Sequence, residues 1–288
     1  MQLPLFYVDD LIKAAIKEDI HYLDTTTDLM IPEESRSTAR FMAKAEGVVC
    51  GLEVALRVFQ LLDDSFTYQV RLPEGSEVKP GDIIAELEGR TRFLLKGERT
   101  ALNLLQHMSG VATATRRAVK LVEGTPASIT DTRKTLPGLR ALQKYAVTVG
   151  GGKNHRFNLS DGAMLKDNHI DAAGGIPQAV AAIRDRLGHM VKLEVETRNL
   201  EEVRQALEAG ADVIMMDNMD CAAMAEAVRL VDGRVGYVRD VTLEPVRYEM
   251  SAVFSQEEGL PFDEALAKQK GIPAAELVQE ALNRWYGG

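Results

Sequence analysis

The chain of 288 residues has little of several features that mark specialised proteins. Its two cysteines, Cys50 and Cys221, are too few for a disulfide framework, and neither belongs to a metal-binding spacing. No apolar run approaches the roughly 18 residues that a membrane-spanning helix needs. Acidic residues interrupt the apolar stretch at the start of the chain, so we expect no signal peptide. These absences predict a soluble, cytoplasmic protein.

Positive charge is also in deficit, because the formal net charge is −9. This balance argues against a general nucleic-acid binder. Hydrophobic residues make up 45% of the chain and charged residues 27%, as in ordinary soluble domains. The length allows one large domain or two smaller ones around a sizeable core.

The first 109 residues have the patterning of a mixed α+β domain. Apolar residues at helical spacing predict helices, and alternating patterns beside Pro-Gly turns predict antiparallel strands. The predicted helices span 8–18, 53–62 and 98–108, the strands lie within 37–50, 66–72 and 82–88, and the polar stretch 21–35 is predicted to be a loop.

From Gly110 onward, strand-like and helical stretches alternate, which indicates a parallel sheet that is either open or closed as a barrel. Strands are predicted at 127–131, 162–166, 191–196 and 211–217, with helices at 176–187 and 200–209. No Gly-x-Gly-x-x-Gly follows an early strand, so we favour the barrel. Residues 236–288 give no clear βα units, although 241–248 and 274–285 have helical patterning.

A cationic cluster lies in Ser128–His169, against the acidic trend of the chain. Its members are Arg133, Lys134, Arg140, Lys144, Lys153, His155, Arg156, Lys166 and His169. Charged groups just past buried strands usually face a ligand, because the carboxyl ends of parallel strands open into loops. We expect a compact anion with several negative charges, although adjacent cations such as Arg133 and Lys134 also suit a solvated helix start.

Carboxylates end the next two predicted strands, at Glu196 and Asp217. Such groups can hold ribose hydroxyls, bind Mg²⁺ through water or stabilise developing positive charge. The alternative is a structural ion pair with the cluster's own cations. Strand alternation places Glu194 on the same face as Glu196. Lys166 at a strand end would also suit a Schiff-base enzyme, and Arg99 alone suggests a capping or surface residue.

Four segments together resemble quinolinate phosphoribosyltransferase, the carboxylating nicotinate-nucleotide pyrophosphorylase. They are GERTALNLLQHMSGVAT, DTRKTLPGLRALQKYAVTVGGGKNHRFNLSDGAMLKDNHI, LEVET and VIMMDN, and the resemblance runs from about residue 8 to about residue 235. It implies an α/β protein with an N-terminal α+β sandwich domain at 1–109 and an incomplete α/β (TIM-like) barrel at 110–288. It also implies a homodimer or larger assembly with shared active sites.

The resemblance assigns a role to each matching residue. Arg133, His155 and Arg156, with Arg99 from the partner subunit, would bind the two carboxylates of quinolinate. Lys134 and Lys166 would contact quinolinate or the phosphates of phosphoribosyl pyrophosphate (PRPP), and Glu196 and Asp217 would hold ribose hydroxyls and Mg²⁺. Lys134, Lys166, Glu196 and Asp217 form the implied catalytic set. The product would be nicotinate mononucleotide, formed with release of pyrophosphate and CO₂.

The C-terminal region departs from the family. A Glu-Ala-Ser-Gly-Gly type segment is expected before Val241, but residues 236–240 are Gly-Tyr-Val-Arg-Asp. No counterpart of a later Gly-Ala-Leu-Thr-His type segment follows. Tyr237 and Val238 should crowd a phosphate pocket and remove flexible backbone donors. Two alternatives therefore remain open: a catalytically impaired dicarboxylate-binding relative, and a phosphoribosyltransferase with another aromatic substrate.

Overall fold

The computed structural model describes residues 3–239, which form two compact units, 3–155 and 156–239. The first unit holds α1 (Leu5–Asp19), α2 (Thr25–Met30), β1 (Arg36–Met42), β2 (Gly47–Val48), α3 (Leu52–Leu62), β3 (Thr67–Val70), β4 (Glu77–Val78), β5 (Ile83–Arg90), α4 (Thr91–Leu121) and α5 (Arg140–Val149). The second unit holds β6 (Ala163–Leu165), α6 (Asp167–Ala173), α7 (Ile176–Arg184), β7 (Leu193–Thr197), α8 (Leu200–Ala209), β8 (Val213–Met216), α9 (Cys221–Val231) and β9 (Gly236–Arg239).

The first unit is an α+β arrangement around an antiparallel sheet. Strand β5 lies between β1 and β3, and β2 pairs with β4 in a separate two-stranded ribbon. Helices α3 and α4 pack together closely enough that a Cβ on Gly97 would lie 2.8 Å from the Phe59 ring. Phe59 is fully buried in the core of this unit, so the glycine is needed for the close approach of the two helices.

Residues 25–30 form α2, so the prediction of a loop across 21–35 is wrong. Asp24 caps this short helix by accepting hydrogen bonds from the backbone N–H groups of Thr26 and Thr27. Asp28 pairs with Lys96 of α4 at 2.5 Å. The helix is therefore fixed by a cap and a long-range ion pair, and neither produces an apolar period in the sequence.

Helix α4 has 31 residues and is far longer than the predicted helix at 98–108. It runs without interruption through residues 109 and 110, where the sequence predicts a domain boundary. Its buried face continues past that point through Val111, Ala112 and Thr115. The two predicted domains are therefore joined by regular helix.

The predicted buried strand at 127–131 is wrong. Thr130 makes only an isolated parallel bridge with Lys153, and within the stretch Ile129 and Asp131 are half-buried while the other residues are exposed. Ile129 is its only large apolar side chain, which leaves too little apolar surface to bury a full strand.

The second unit contains a parallel sheet in the order β6-β7-β8-β9, with helices between consecutive strands. Leu193, Val195, Ile214 and Met216 are fully buried and form the centre of its core. This alternation confirms the predicted α/β class of the C-terminal half. Strand β9 appears where the sequence showed no clear unit, while the helices predicted at 241–248 and 274–285 lie outside the described residues.

Within residues 3–239, no helix combines the length and the apolar character that crossing a bilayer would require.

Candidate active site

Three candidate residues stand at the carboxyl ends of neighbouring parallel strands in the second unit. Lys166 directly follows β6, Glu196 lies near the end of β7, and Asp217 directly follows β8. The Nζ atom of Lys166 lies 2.8 Å from Oε2 of Glu196. The Glu196 side chain is 12% exposed and that of Lys166 is 48% exposed. The pair thus joins a sheltered carboxylate to a cation that solvent can still reach.

Local hydrogen bonds hold the backbone around these strand ends. The Lys166 N–H donates to Nδ1 of His169 at 3.1 Å, which gives His169 a structural role at the start of α6. The Asp217 N–H donates to the Thr197 carbonyl at 2.8 Å. Nδ2 of Asn218 donates to the Asp217 carboxylate at 3.0 Å, and Asn218 itself has a positive φ of 53°. Hydrogen bonds within the protein therefore fix the backbone at the ends of β6 and β8.

Arg133 and Lys134 lie in the loop between residue 131 and α5, in the first unit. Lys134 is exposed, whereas Arg133 is half-buried. Its Nε atom is buried and makes no hydrogen bond to the described residues. A buried guanidinium donor is costly to leave without an acceptor.

Helix α5 anchors the same loop at two points. The Leu136 N–H donates to Oε1 of Gln143 at 2.9 Å, and Nε of Arg140 donates to Oγ1 of Thr135 at 3.0 Å. Arg140 therefore supports the loop structurally, although the sequence placed it in the cationic cluster.

His155 and Arg156 are both half-buried, His155 at the end of the first unit and Arg156 at the start of the second. The His155 N–H donates to Oδ1 of Asp131 at 2.9 Å. Nη1 of Arg156 donates to the Gly162 carbonyl at 2.9 Å. Each residue is thus tied to its own unit by a backbone or side-chain hydrogen bond.

The glycine triplet at 150–152 packs against helix α4. A Cβ on Gly150 would lie 2.6 Å from the Ala112 carbonyl oxygen and from Cβ of Thr115, and one on Gly152 would lie 3.0 Å from Cγ2 of Thr115. Gly151 has a φ of +96°, which favours glycine. The absence of side chains in the triplet therefore lets the C-terminal end of α5 approach α4 closely. This contact gives a structural reason for the three glycines.

Arg99 is exposed on α4 and lines a groove of about 440 Å³ in the first unit, together with Lys44 and Gln106. Because α4 begins at Thr91, Arg99 lies in the body of the helix. The interpretation of Arg99 as a helix cap is therefore wrong, and its side chain is available to a ligand or a partner.

Comparison with known proteins identifies the family. The model of the quinolinate phosphoribosyl transferase N-terminal domain matches residues 24–109, and that of the C-terminal domain matches residues 111–245. The chain belongs to the quinolinate phosphoribosyltransferase family. The order TRKT, NHR and KDNH that suggested this family in the sequence lies inside the second matched range.

Relatives match across most of the chain. A probable carboxylating nicotinate-nucleotide pyrophosphorylase of Synechocystis sp. is 45% identical over 228 residues, which cover 79% of this chain and 77% of the relative. A Bacillus subtilis protein of the same name is 48% identical over 201 residues, or 70% and 69% of the two chains. The crystal structure of NadC from Streptococcus pyogenes matches with a TM-score of 0.82 at 39% identity, covering 91% of each chain. The predicted family and fold class are confirmed.

Sequence reasoning missed a buried polar network within this quinolinate phosphoribosyltransferase chain. Lys144 of α5 is fully buried against Asp131, and Asn154 donates to the same carboxylate. The one available signal was a lysine at a position of α5 where apolar Leu142 and Ala146 also point inward. The sequence analysis placed Lys144 among the cations expected to face a ligand, but its side chain is fully buried and pairs with Asp131.

Proposed function

We propose that this protein transfers the phosphoribosyl group of PRPP to quinolinate and decarboxylates the product, giving nicotinate mononucleotide, pyrophosphate and CO₂. It is then a carboxylating nicotinate-nucleotide diphosphorylase, a glycosyltransferase of the pentosyltransferase class that serves NAD biosynthesis. The observation that carries this proposal is the match of both family domains, with each cationic motif residue present. The names of the two relatives agree with it.

Quinolinate binding is assigned to four cationic or imidazole side chains. Arg133, His155 and Arg156 would hold the two carboxylates, and Arg99 would join them from a partner subunit. The half-buried position of Arg133 beside the exposed Lys134 supports this role, because adjacent cations favour an anion and a guanidinium can bind a carboxylate through two parallel hydrogen bonds. The exposure of Arg99 supports its contribution across a dimer interface. A homodimer is accordingly part of the proposal.

PRPP binding is assigned to the strand ends of the second unit. Lys134 and Lys166 would neutralise phosphate charge, while Glu196 and Asp217 would face the ribose hydroxyls. The exposed cation of the Lys166–Glu196 pair supports this assignment, since an incoming phosphate can draw Lys166 away from Glu196 with little loss of stability.

Mg²⁺ is proposed as a cofactor that binds together with PRPP. Residues 3–239 contain no group of three His, Cys, Asp or Glu side chains that could hold a metal. Glu196 and Asp217 are hard oxygen donors that suit a cation taking its remaining ligands from phosphates and water. Bound there, the ion would neutralise charge on the leaving pyrophosphate.

The reaction follows from the charges that these residues provide. The pyridine nitrogen forms a bond to C1 of the ribose as the C1–pyrophosphate bond breaks, and the carboxylates stabilise the positive centre that develops at C1. The ring nitrogen then carries a formal positive charge. As CO₂ leaves, the electron pair of the C–CO₂ bond stays on the adjacent ring carbon, where the positive nitrogen stabilises it, and a proton from solvent then bonds to that carbon.

The proposal is tested with purified protein, quinolinate, PRPP and Mg²⁺, following nicotinate mononucleotide and CO₂. We expect both products, and we expect Arg133→Ala to lose them. Arg204→Ala is the matched control, because Arg204 is an exposed α8 residue that pairs with Glu201 on the same helix. Absence of product from the unchanged protein, with quinolinate still bound, would favour the impaired dicarboxylate-binding relative. If the protein forms a product only with another aromatic acid, the result would favour a phosphoribosyltransferase with a different aromatic substrate.

A cytoplasmic location also belongs to the proposal. It is supported by the ordinary composition and the acidic balance of the chain, and by the bacterial relatives. Fractionation of the native source, with activity recovered in the soluble fraction, is the expected result. Activity confined to membranes would contradict it.

A further inference from the structure

Asp131 ends a short stretch that is paired in parallel with the segment before His155. The Lys153 N–H donates to the Ile129 carbonyl at 2.8 Å, and the Asp131 N–H donates to the Lys153 carbonyl at 3.1 Å. This register places the Asp131 side chain beside residues 154 and 155. Its orientation is therefore set by the backbone.

The Asp131 carboxylate is the centre of a buried network. It accepts hydrogen bonds from Nζ of Lys144, from Nδ2 of Asn154 and from the N–H of His155. The Lys144 side chain is 0% exposed and that of Asp131 is 7% exposed. Nδ2 of Asn154 also donates to the Lys144 carbonyl at 2.9 Å, which closes the network.

The ion pair holds both backbone polar groups of His155. Asp131 accepts from its N–H at 2.9 Å, and Nζ of Lys144 donates to its carbonyl at 3.2 Å. A residue that has both its N–H and its C=O bonded to one buried pair cannot rotate its peptide planes without breaking those hydrogen bonds. The backbone of His155, and with it the direction of its Cα–Cβ bond, is held in place as a result.

A buried ion pair is weak evidence for stability, because an apolar pair of similar volume often stabilises a core as well or better. Lys144 occupies an inward position of α5 between the fully buried Leu142 and Ala146, where an apolar residue would fit the helix pattern. Its presence calls for a reason other than packing. The clamp on His155, by which we mean the hydrogen bonds that Asp131 and Lys144 make to its N–H and its carbonyl, supplies one.

We propose that Asp131 and Lys144 are positioning residues that hold His155 in the orientation needed to bind quinolinate. This inference rests on the proposed function. Asp131 and Lys144 touch the backbone of His155, and they act through it on the acceptor substrate. Loss of the clamp should therefore raise the KM for quinolinate more than the KM for PRPP.

Two double variants with the same net charge distinguish an effect on the position of His155 from an effect on the stability of the fold. Asp131→Leu/Lys144→Met replaces the ion pair by apolar side chains and removes the acceptor for the His155 N–H. Asp131→Asn/Lys144→Met differs from it at one side chain of similar size and keeps a carbonyl acceptor. Both avoid leaving a single buried charge, which would confuse misfolding with misplacement.

We expect the Leu/Met variant to fold and to show a KM for quinolinate roughly ten- to a hundredfold higher, as misplacement of a binding group typically produces. The Asn/Met variant should recover most of that loss. Hydrogen exchange of the His155 amide should be faster in the Leu/Met variant than in the Asn/Met variant. Equal quinolinate KM values in two folded variants would overturn the proposal.

A milder variant provides the test if the double variants do not fold. Asn154→Ala removes only the hydrogen bonds that Asn154 makes to Asp131 and to the Lys144 carbonyl. We expect a smaller rise in the KM for quinolinate and an unchanged KM for PRPP, and an unchanged quinolinate KM would count against the clamp. If the unchanged protein neither binds nor converts quinolinate, the proposed function fails, while amide exchange at His155 still tests the clamp itself.

Discussion

Nε2 of His107 lies 3.2 Å from Nε2 of Gln143, and of these two nitrogens only the histidine can be the acceptor. Oε1 of Gln143 already accepts from the Leu136 N–H at 2.9 Å, which fixes the other end of the amide as NH₂. His107 therefore carries its proton on Nδ1 and is neutral. This pair connects α4, through Gln143, to the loop that carries Arg133 and Lys134.

Protonation of His107 should destabilise the fold in mildly acidic solution. Burial lowers the pKa of His107 below its usual value near 6.5. With a folded pKa below the unfolded one, the neutral form contributes stability above about pH 6.5, and this contribution is lost as the pH falls. We expect His107→Gln, which keeps a side-chain acceptor without titrating, to flatten the fall of Tm between about pH 7 and pH 5. An identical fall in both proteins would contradict this.

A second pH effect should appear at lower pH and arise from Asp63, whose side chain is only 2% exposed. Burial alone would raise its pKa, but hydrogen bonds from Arg90 and Ser65 lower the pKa to about 2. Because the folded pKa is depressed, the stabilisation is present above about pH 4 and is lost as the pH falls through about 2.

Asp63→Asn should therefore lower the free energy of unfolding near neutral pH by about 2 to 3 kcal/mol, measured by urea titration. Glu88→Gln is the control, because Glu88 makes an exposed pair with Arg36 in the same unit and should matter by less than about 1 kcal/mol. A difference between the two variants that persisted at about pH 2 would point to packing instead of charge.

Gly150→Ala should destabilise the contact between α5 and α4. The new Cβ would meet the Ala112 carbonyl oxygen at 2.6 Å, so the helices must move apart at a cost of about 1 to 3 kcal/mol. Gly188→Ala is a suitable control, since its nearest neighbour to an added Cβ is Val191 at 3.8 Å. Equal Tm values for the two variants would show that the close approach has no energetic consequence.

The pair Lys166–Glu196 should matter for turnover and little for stability. Lys166→Met removes a cation that is 48% exposed, and exposed ion pairs contribute at most about 1 kcal/mol. Its proposed contact with a phosphate predicts a fall in kcat/KM of about a hundredfold. Arg198→Met is the control, since Arg198 pairs with Glu202 one turn along on the surface. If Lys166→Met lowers the Tm but keeps its activity, the result would support a purely structural ion pair between Glu196 and Lys166.

Much of the fold was predictable wherever one face of an element is buried. The sequence periodicity of α8 and the alternation of Leu193 and Val195 with glutamates in β7 located both elements, because burial imposes the pattern directly. Helix α2 was missed because its cap and its ion pair to Lys96 stabilise it without an apolar period. The 127–131 stretch was overpredicted because a short run of mostly small residues around Ile129 has the pattern of a buried strand without enough apolar surface to form one.

The positions of three candidate residues at strand ends were predictable from the sequence. Lys166, Glu196 and Asp217 were located because charged residues directly after strands stand out in the sequence. The contacts of Lys144 and of Gln143 could not be deduced, because they join residues that only the path of the chain brings together. The support that Arg140 gives to the loop before α5 also depends on a contact that the sequence does not reveal.

The uninterrupted course of α4 limits how this protein can be recombined with its relatives. The two family domains meet at residues 109–111, inside the helix, so a chimaera joined there would splice two foreign half-helices. Each hydrogen bond across the junction links residues four apart, and the buried side chains on both sides would have to match as well. A crossover in the turn at residues 122–126 would instead inherit the whole helix from one parent.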